Sequence, residues 1–174
     1  MIFTGLKKKR IQKLFEKIIK NTNPAAQQII DGPIEKIGVL IDDETYLKND
    51  VEYLLQTNLG IDTSAIHIII MRKFKKKDQP SDIHFTDKDF GGGAEINNPN
   101  LQKFIETPFD LLINFDAYNN LYIKYLTLIS KGKFKVGYSK TDDRLYNFMI
   151  VHKEDDLKTF ISELKKYLKI LNKL

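Results

Sequence analysis

The chain has 174 residues, 42% hydrophobic and 29% charged, which suits one globular domain with its own core and is cramped for two. It has no cysteine, which excludes a disulfide framework, a thiolate nucleophile and a cysteine metal site, and no apolar run approaches the roughly 20 residues of a membrane span. The formal charge is +5, yet residues 1 to 20 hold seven basic groups against the single acid Glu16, so the rest of the chain is close to neutral.

The elements follow from periodicity. Ile11, Leu14, Phe15, Ile18 and Ile19 form the stripe of an amphipathic helix ending by Asn21, with lysines on its other faces. Pro24, Gly32 and Pro33 then mark a linker, so the expected organisation is a basic helix over 1–22, a linker over 23–34 and one α/β domain over 35–174. Lys36 to Ile41 reads as a strand, Glu44 to Asn58 as a helix with Leu47, Val51, Leu54 and Leu55 inward and Gly60 as its stop, and Ala65 to Met71 as a second strand. The charged run Lys73 to Asp78 predicts a loop or hairpin before a short strand near Ile83 to Phe85. Beyond the Gly91-Gly92-Gly93 loop, Pro99 can open a short helix through Phe104 and Ile105.

Phe109 to Phe115 is the third strong strand, and Asn119 or Asn120 can cap a helix burying Leu121, Tyr125, Leu128 and Ile129. Further strands are expected at Phe134 to Tyr138 and within Tyr146 to Val151. A last helix follows Asp155-Asp156, with Leu157, Phe160, Ile161, Leu164, Leu168 and Leu171 at helical spacing. Apolar strands alternating with amphipathic helices predict a three-layer, Rossmann-like α/β domain: a mostly parallel sheet with helices on both faces. The N-terminus lacks the apolar run and cleavage site of a secretory signal, so a cytoplasmic location is the expectation.

In such a sheet a ligand binds beyond the carboxyl ends of the strands. Asp42, Asp43 and Asp116 stand there, and carboxylates at that place can hold Mg²⁺ for phosphate chemistry, although they also serve as ordinary caps and turn residues. VLIDDE and FDLLINFDAYN resemble the acidic pair and acceptor strand of phosphoacceptor receiver domains. That resemblance implies metal binding by Asp42 and Asp43 and phosphorylation at Asp116. The 73-residue separation of Asp43 from Asp116 is long for that family, and no Lys-Pro follows. Gly91, Gly92 and Gly93 offer bare N–H groups to a phosphate, but they fit neither GxGxxG nor the P-loop pattern.

Residues 109–138 are also similar to the strand, helix and strand of the acceptor-side domain in heptosyltransferase-like glycosyltransferases, which implies shared architecture and a nucleotide-sugar alternative. Over its full length the chain resembles an uncharacterised family of small cytoplasmic α/β proteins from Bacteroidetes. The carrying segments are Gly5-Leu6-Lys7, TDKDFG, FDLLINF, KFKVGY and DRLYNFMI, and the resemblance brings no catalytic residue.

His67 lies within an apolar strand and reads as a hydrogen-bonded core or interface group, while His84 and His152 have no partner signature. No Ser-His-Asp order or nucleophile elbow is present, and no cofactor is predicted outside the Mg²⁺ alternative. Two basic clusters remain: Lys7, Lys8, Lys9, Arg10, Lys13, Lys17 and Lys20, and Arg72, Lys73, Lys75, Lys76 and Lys77 around Phe74. Lysines at this density solvate exposed faces or neutralise phosphates, and a basic amphipathic helix can also lie on an anionic membrane. Their concentration at two places favours a non-enzymatic protein that contacts RNA or a ribonucleoprotein. The terminal helices are a possible protein-docking surface through their apolar stripes.

Overall fold

Continuous runs of β-branched and aliphatic residues become the strands, and the stripes of period 3.6 become the helices. The computed structural model describes residues 2–22, 32–42, 48–76, 81–116, 119–138, 142–151 and 156–174. Its strands are β1 (Ile37–Asp42), β2 (Ile66–Met71), β3 (His84–Phe85), β4 (Leu111–Phe115), β5 (Phe134–Tyr138) and β6 (Phe148–Ile150). Its helices are α1 (Ile2–Asn21), α2 (Lys48–Leu59), α3 (Pro99–Glu106), α4 (Leu121–Ile129) and α5 (Leu157–Ile170).

The sheet order is β3-β2-β1-β4-β5-β6 and every pairing is parallel, so the expected three-layer α/β fold is present with a wholly parallel sheet. Since β2 and β3 run parallel, the chain between them is a crossover and not a hairpin, which requires antiparallel strands. β1 and β4 lie side by side at the centre and are buried at every residue, hence their nearly unbroken hydrophobicity.

Two apolar clusters cover the two faces. On one, Val51 and Leu55 of α2 and Phe160, Ile161 and Leu164 of α5 pack with Val39, Ile41, Ile113 and Phe115. On the other, α3 and α4 pack with Leu40, Leu112 and Phe109, and α1 joins the same cluster through Ile11, Phe15 and Ile19. Gly38 makes room here, because a Cβ on it would meet the Phe109 ring at 2.5 Å. Phe85 and Phe90 are also enclosed, with ring centroids 6.2 Å apart.

The buried face of α4 is broader than its sequence stripe. Tyr122, Ile123, Tyr125, Leu126, Thr127 and Leu128 are all buried, while Leu121 and Ile129 are only partly so. The physical reason is α1, which lies on α4 and shields the side that a two-layer packing would leave wet. His67 departs from expectation in the other direction: it is exposed, its ring centroid 5.6 Å from that of Phe109. Partial desolvation and the positive charges of Lys36 and Lys103 hold its pKa below the usual histidine value. His152 lies outside the described residues. Among the described residues no helix is long and apolar enough to cross a membrane.

Behind β4 and β5 the α4 side of the core is polar. The Asn114 side-chain amide donates to Thr127 Oγ1 (3.1 Å) and to the Tyr146 hydroxyl (2.7 Å), and Gly137 leaves the space that the Tyr146 ring fills. Lys135 is buried and donates from Nζ to the carbonyl of Thr127 (2.7 Å) and, at 3.4 Å, to that of Leu128, satisfying the last turn of α4. Its burial lowers its pKa from 10.5 to about 8.

Two predictions follow from this packing. Phe15→Ala opens a cavity between α1 and α4 and should cost about 3–5 kcal/mol in urea denaturation, whereas a detached basic arm would lose nothing. For Lys135 the folded pKa lies below the unfolded one, so the fold disfavours the charged lysine. The penalty is fully present below pH 8 and fades as pH rises toward 10.5. The stability of the wild type relative to Lys135→Met should therefore climb across that window, by on the order of 3 kcal/mol in denaturation at several pH values.

Candidate functional site

The strand order reverses between β1 and β4: β1 continues through α2 to β2 on one side, and β4 continues through α4 to β5 on the other. Such a reversal opens a crevice at the carboxyl ends of the two central strands. Asp42 is the last residue of β1 and is almost fully enclosed, and Asp116 directly follows β4 with no exposure. Asn120 joins them. Its backbone N–H donates to Asp116 Oδ2, its side-chain amide donates to Asp42 Oδ2 at 3.1 Å, and its Oδ1 accepts from the Tyr122 N–H at 3.0 Å.

Each atom of Asn120 has a reason. The Oδ1 bond is the N-cap of α4, which satisfies an otherwise orphaned helix N–H. Asn119 adopts φ 59°, a left-handed conformation that asparagine tolerates, and this turns the chain so that the Asn120 N–H faces Asp116. The Asp116 carboxylate thereby sits at the helix N-terminus, where partial positive charge favours an anion. Sequence reading places both carboxylates here and names Asn120 as a possible cap. The link it makes to Asp42, 78 residues away in the chain, is visible only in three dimensions.

Asp43 lies outside the described residues. Among the described residues no group of three His, Cys, Asp or Glu side chains is placed to hold a metal ion. The asparagine turns its amide N–H, not its oxygen, toward Asp42, and so acts there as a hydrogen-bond donor to the carboxylate.

The glycine loop is elsewhere, after β3, and it encloses an anion of its own. The Gly93 N–H donates to Glu95 Oε2 at 2.7 Å, and the Gly91 N–H donates to the Glu95 carbonyl at 2.8 Å. A Cβ on Gly91 would overlap the Glu95 carboxylate as it is placed, so a larger residue there would displace that exposed side chain. Gly92 instead offers its carbonyl, which accepts from Arg10 Nη1 at 2.9 Å. The loop and the strand-end carboxylates therefore have separate partners.

The basic clusters are brought together. The 3₁₀ turn Asp87–Asp89 stands between them: the Asp87 carbonyl accepts from Lys7 Nζ at 2.8 Å, and Lys88 Nζ lies 5.7 Å from the centre of the Phe74 ring. Lys8, Lys9, Arg10, Lys13, Lys17 and Lys20 on α1 are exposed, and so are Lys73, Phe74, Lys75 and Lys76, while Arg72 is partly buried. Lys9, Lys13, Lys17 and Lys20 recur at helical spacing on the side of α1 away from Ile11, Phe15 and Ile19. Lys77 lies outside the described residues.

Lys88 is a residue that sequence reading missed, because it stands between two aspartates. One of these is engaged internally: Asp89 accepts from the Thr86 N–H (2.7 Å) and Oγ1 (3.1 Å) and from the Asn98 amide (3.0 Å). The capping box that confines Asp89 leaves Lys88 exposed beside Phe74.

A family of unknown function, DUF6913, matches residues 7–171, and the chain belongs to it. No curated protein and no solved structure matches the chain. The match takes in residues 7–21 of α1 as well as the sheet.

Asn120 gives a direct test of the strand-end arrangement. Asn120→Asp keeps a capping oxygen but sets a third carboxylate against Asp42 and Asp116, and should cost more than Asn120→Ala, which loses about 1–2 kcal/mol with the cap. Urea denaturation at pH 7 and again at about pH 4, where carboxylates begin to protonate, should show the gap between the two variants closing in acid.

Proposed function

We propose that this chain is a non-enzymatic cytoplasmic protein that contacts RNA, free or on a ribonucleoprotein surface, through the basic area formed by α1, the 72–76 stretch and Lys88. The observation that carries this reading is the junction at Asp87–Asp89, where Lys7 and the Phe74 region meet the same turn although they are far apart in sequence. Separate patches of lysine need no partner, but cationic side chains gathered around one turn concentrate positive potential where phosphates can be neutralised. The apolar stripe of α1 is spent on α4, so its lysine ridge is held outward by packing and is available to a ligand.

The test uses fluorescence anisotropy with labelled RNA. Affinity should fall steeply between about 50 and 200 mM salt. Changing Lys9, Lys13, Lys17 and Lys20 together to Ala should weaken binding and flatten the slope of log K against log salt by roughly 0.7 per lost contact to a single strand. These four sites leave the Lys7 and Arg10 hydrogen bonds intact. Absence of binding at low salt would overturn the reading.

A second reading is favoured by one observation: Asp42, Asn120 and Asp116 meet where the strand order reverses, and the order itself is that of Rossmann-like dinucleotide-binding sheets. It assigns the crevice to a phosphorylated small molecule such as a nucleotide sugar. Under this reading a panel of nucleoside diphosphates and nucleotide sugars should raise the melting temperature of the wild type and not of Asn120→Ala.

A further inference from the structure

We propose that the basic surface takes single-stranded RNA, with an unpaired base stacked on Phe74. This rests on the RNA reading above and narrows it to a class of ligand. Among phenylalanines whose side chains are described, Phe74 is the one that is exposed: half of its surface faces solvent, while the others are buried or partly buried. It stands in the run that leaves β2 at the carboxyl end of the sheet, with Lys76 two residues on and Lys88 against its ring. Lys88 Nζ lies over one face of the ring, a cation–π arrangement, and half of the Phe74 surface still faces solvent.

An exposed phenyl ring among cations suits one form of nucleic acid better than the other. A duplex keeps the faces of its bases inside its own stack, so it can offer this surface only phosphates. An unpaired base has a free π-face, and stacking on an aromatic ring beside phosphate-neutralising lysines is how single strands are held without sequence readout. Phe74 lies outside the buried cluster that holds Phe85, Phe90 and Tyr122.

The chain contains no tryptophan, so Phe74→Trp places a sole indole at the proposed stacking position. Titration of that variant with a short unstructured RNA should quench its fluorescence, and an RNA hairpin duplex with the same number of phosphates should not. By anisotropy the wild type should bind the single strand more tightly than the duplex. Phe74→Ala should lose about five- to hundred-fold of the single-strand affinity with its salt slope unchanged, and Phe74→Trp should retain it. Equal affinity for strand and duplex, with Phe74→Ala indifferent and no quenching, would overturn this inference while leaving RNA binding in place. Failure of both RNAs to bind at low salt would overturn the RNA reading itself, and this inference with it.

Discussion

Helix α4 is covered over most of its surface. The sheet lies beneath it and α1 lies across it, and both of its ends are satisfied by side chains: its own N-cap Asn120 at the start, and Lys135 of β5 on the carbonyls of its last turn. A helix apolar on nearly all sides is stable in water only when covered on all sides. That requirement sets the position of α1, and the position of α1 sets where its charges point. With Ile11, Phe15 and Ile19 committed to α4, the ridge of Lys9, Lys13, Lys17 and Lys20 has to face outward.

The same helix links the two candidate regions. At its N-terminus the cap residue also gathers Asp116 and Asp42, so the strand-end carboxylates are positioned by the geometry needed to begin α4. On its outer face it seats α1, whose Lys7 and Arg10 then reach the carbonyls of Asp87 and Gly92 in the loop after β3. These two bonds carry the first basic cluster to the second. Two carboxylates in that loop accept local hydrogen bonds, Asp89 within the capping box and Glu95 from the Gly93 N–H.

Some of this was legible one residue at a time. Pro99 and Asp156 announce helix starts through short-range chemistry; Pro99 takes the first turn of α3, and the Asp156 side chain caps α5. His67 was misleading because a polar residue in an apolar strand is usually enclosed, whereas here it lies where the helical layer does not cover the sheet. Lys88 was hidden by the flanking aspartates, and Asn120 showed only its local role. In each case the missing information was a neighbour distant in sequence.

The sequence by itself determined the element types, the alternation that makes a parallel three-layer sheet, and the concentration of positive charge in two segments. Those properties depend on periodicity and composition within a short stretch of chain, where the backbone's geometry does the sorting. Only the tertiary structure decided that the basic helix covers α4, that its charges join those after β2, and that Asp42 and Asp116 share one asparagine. Such relations depend on strand order and on which face each crossover takes, and neither is encoded in any local window.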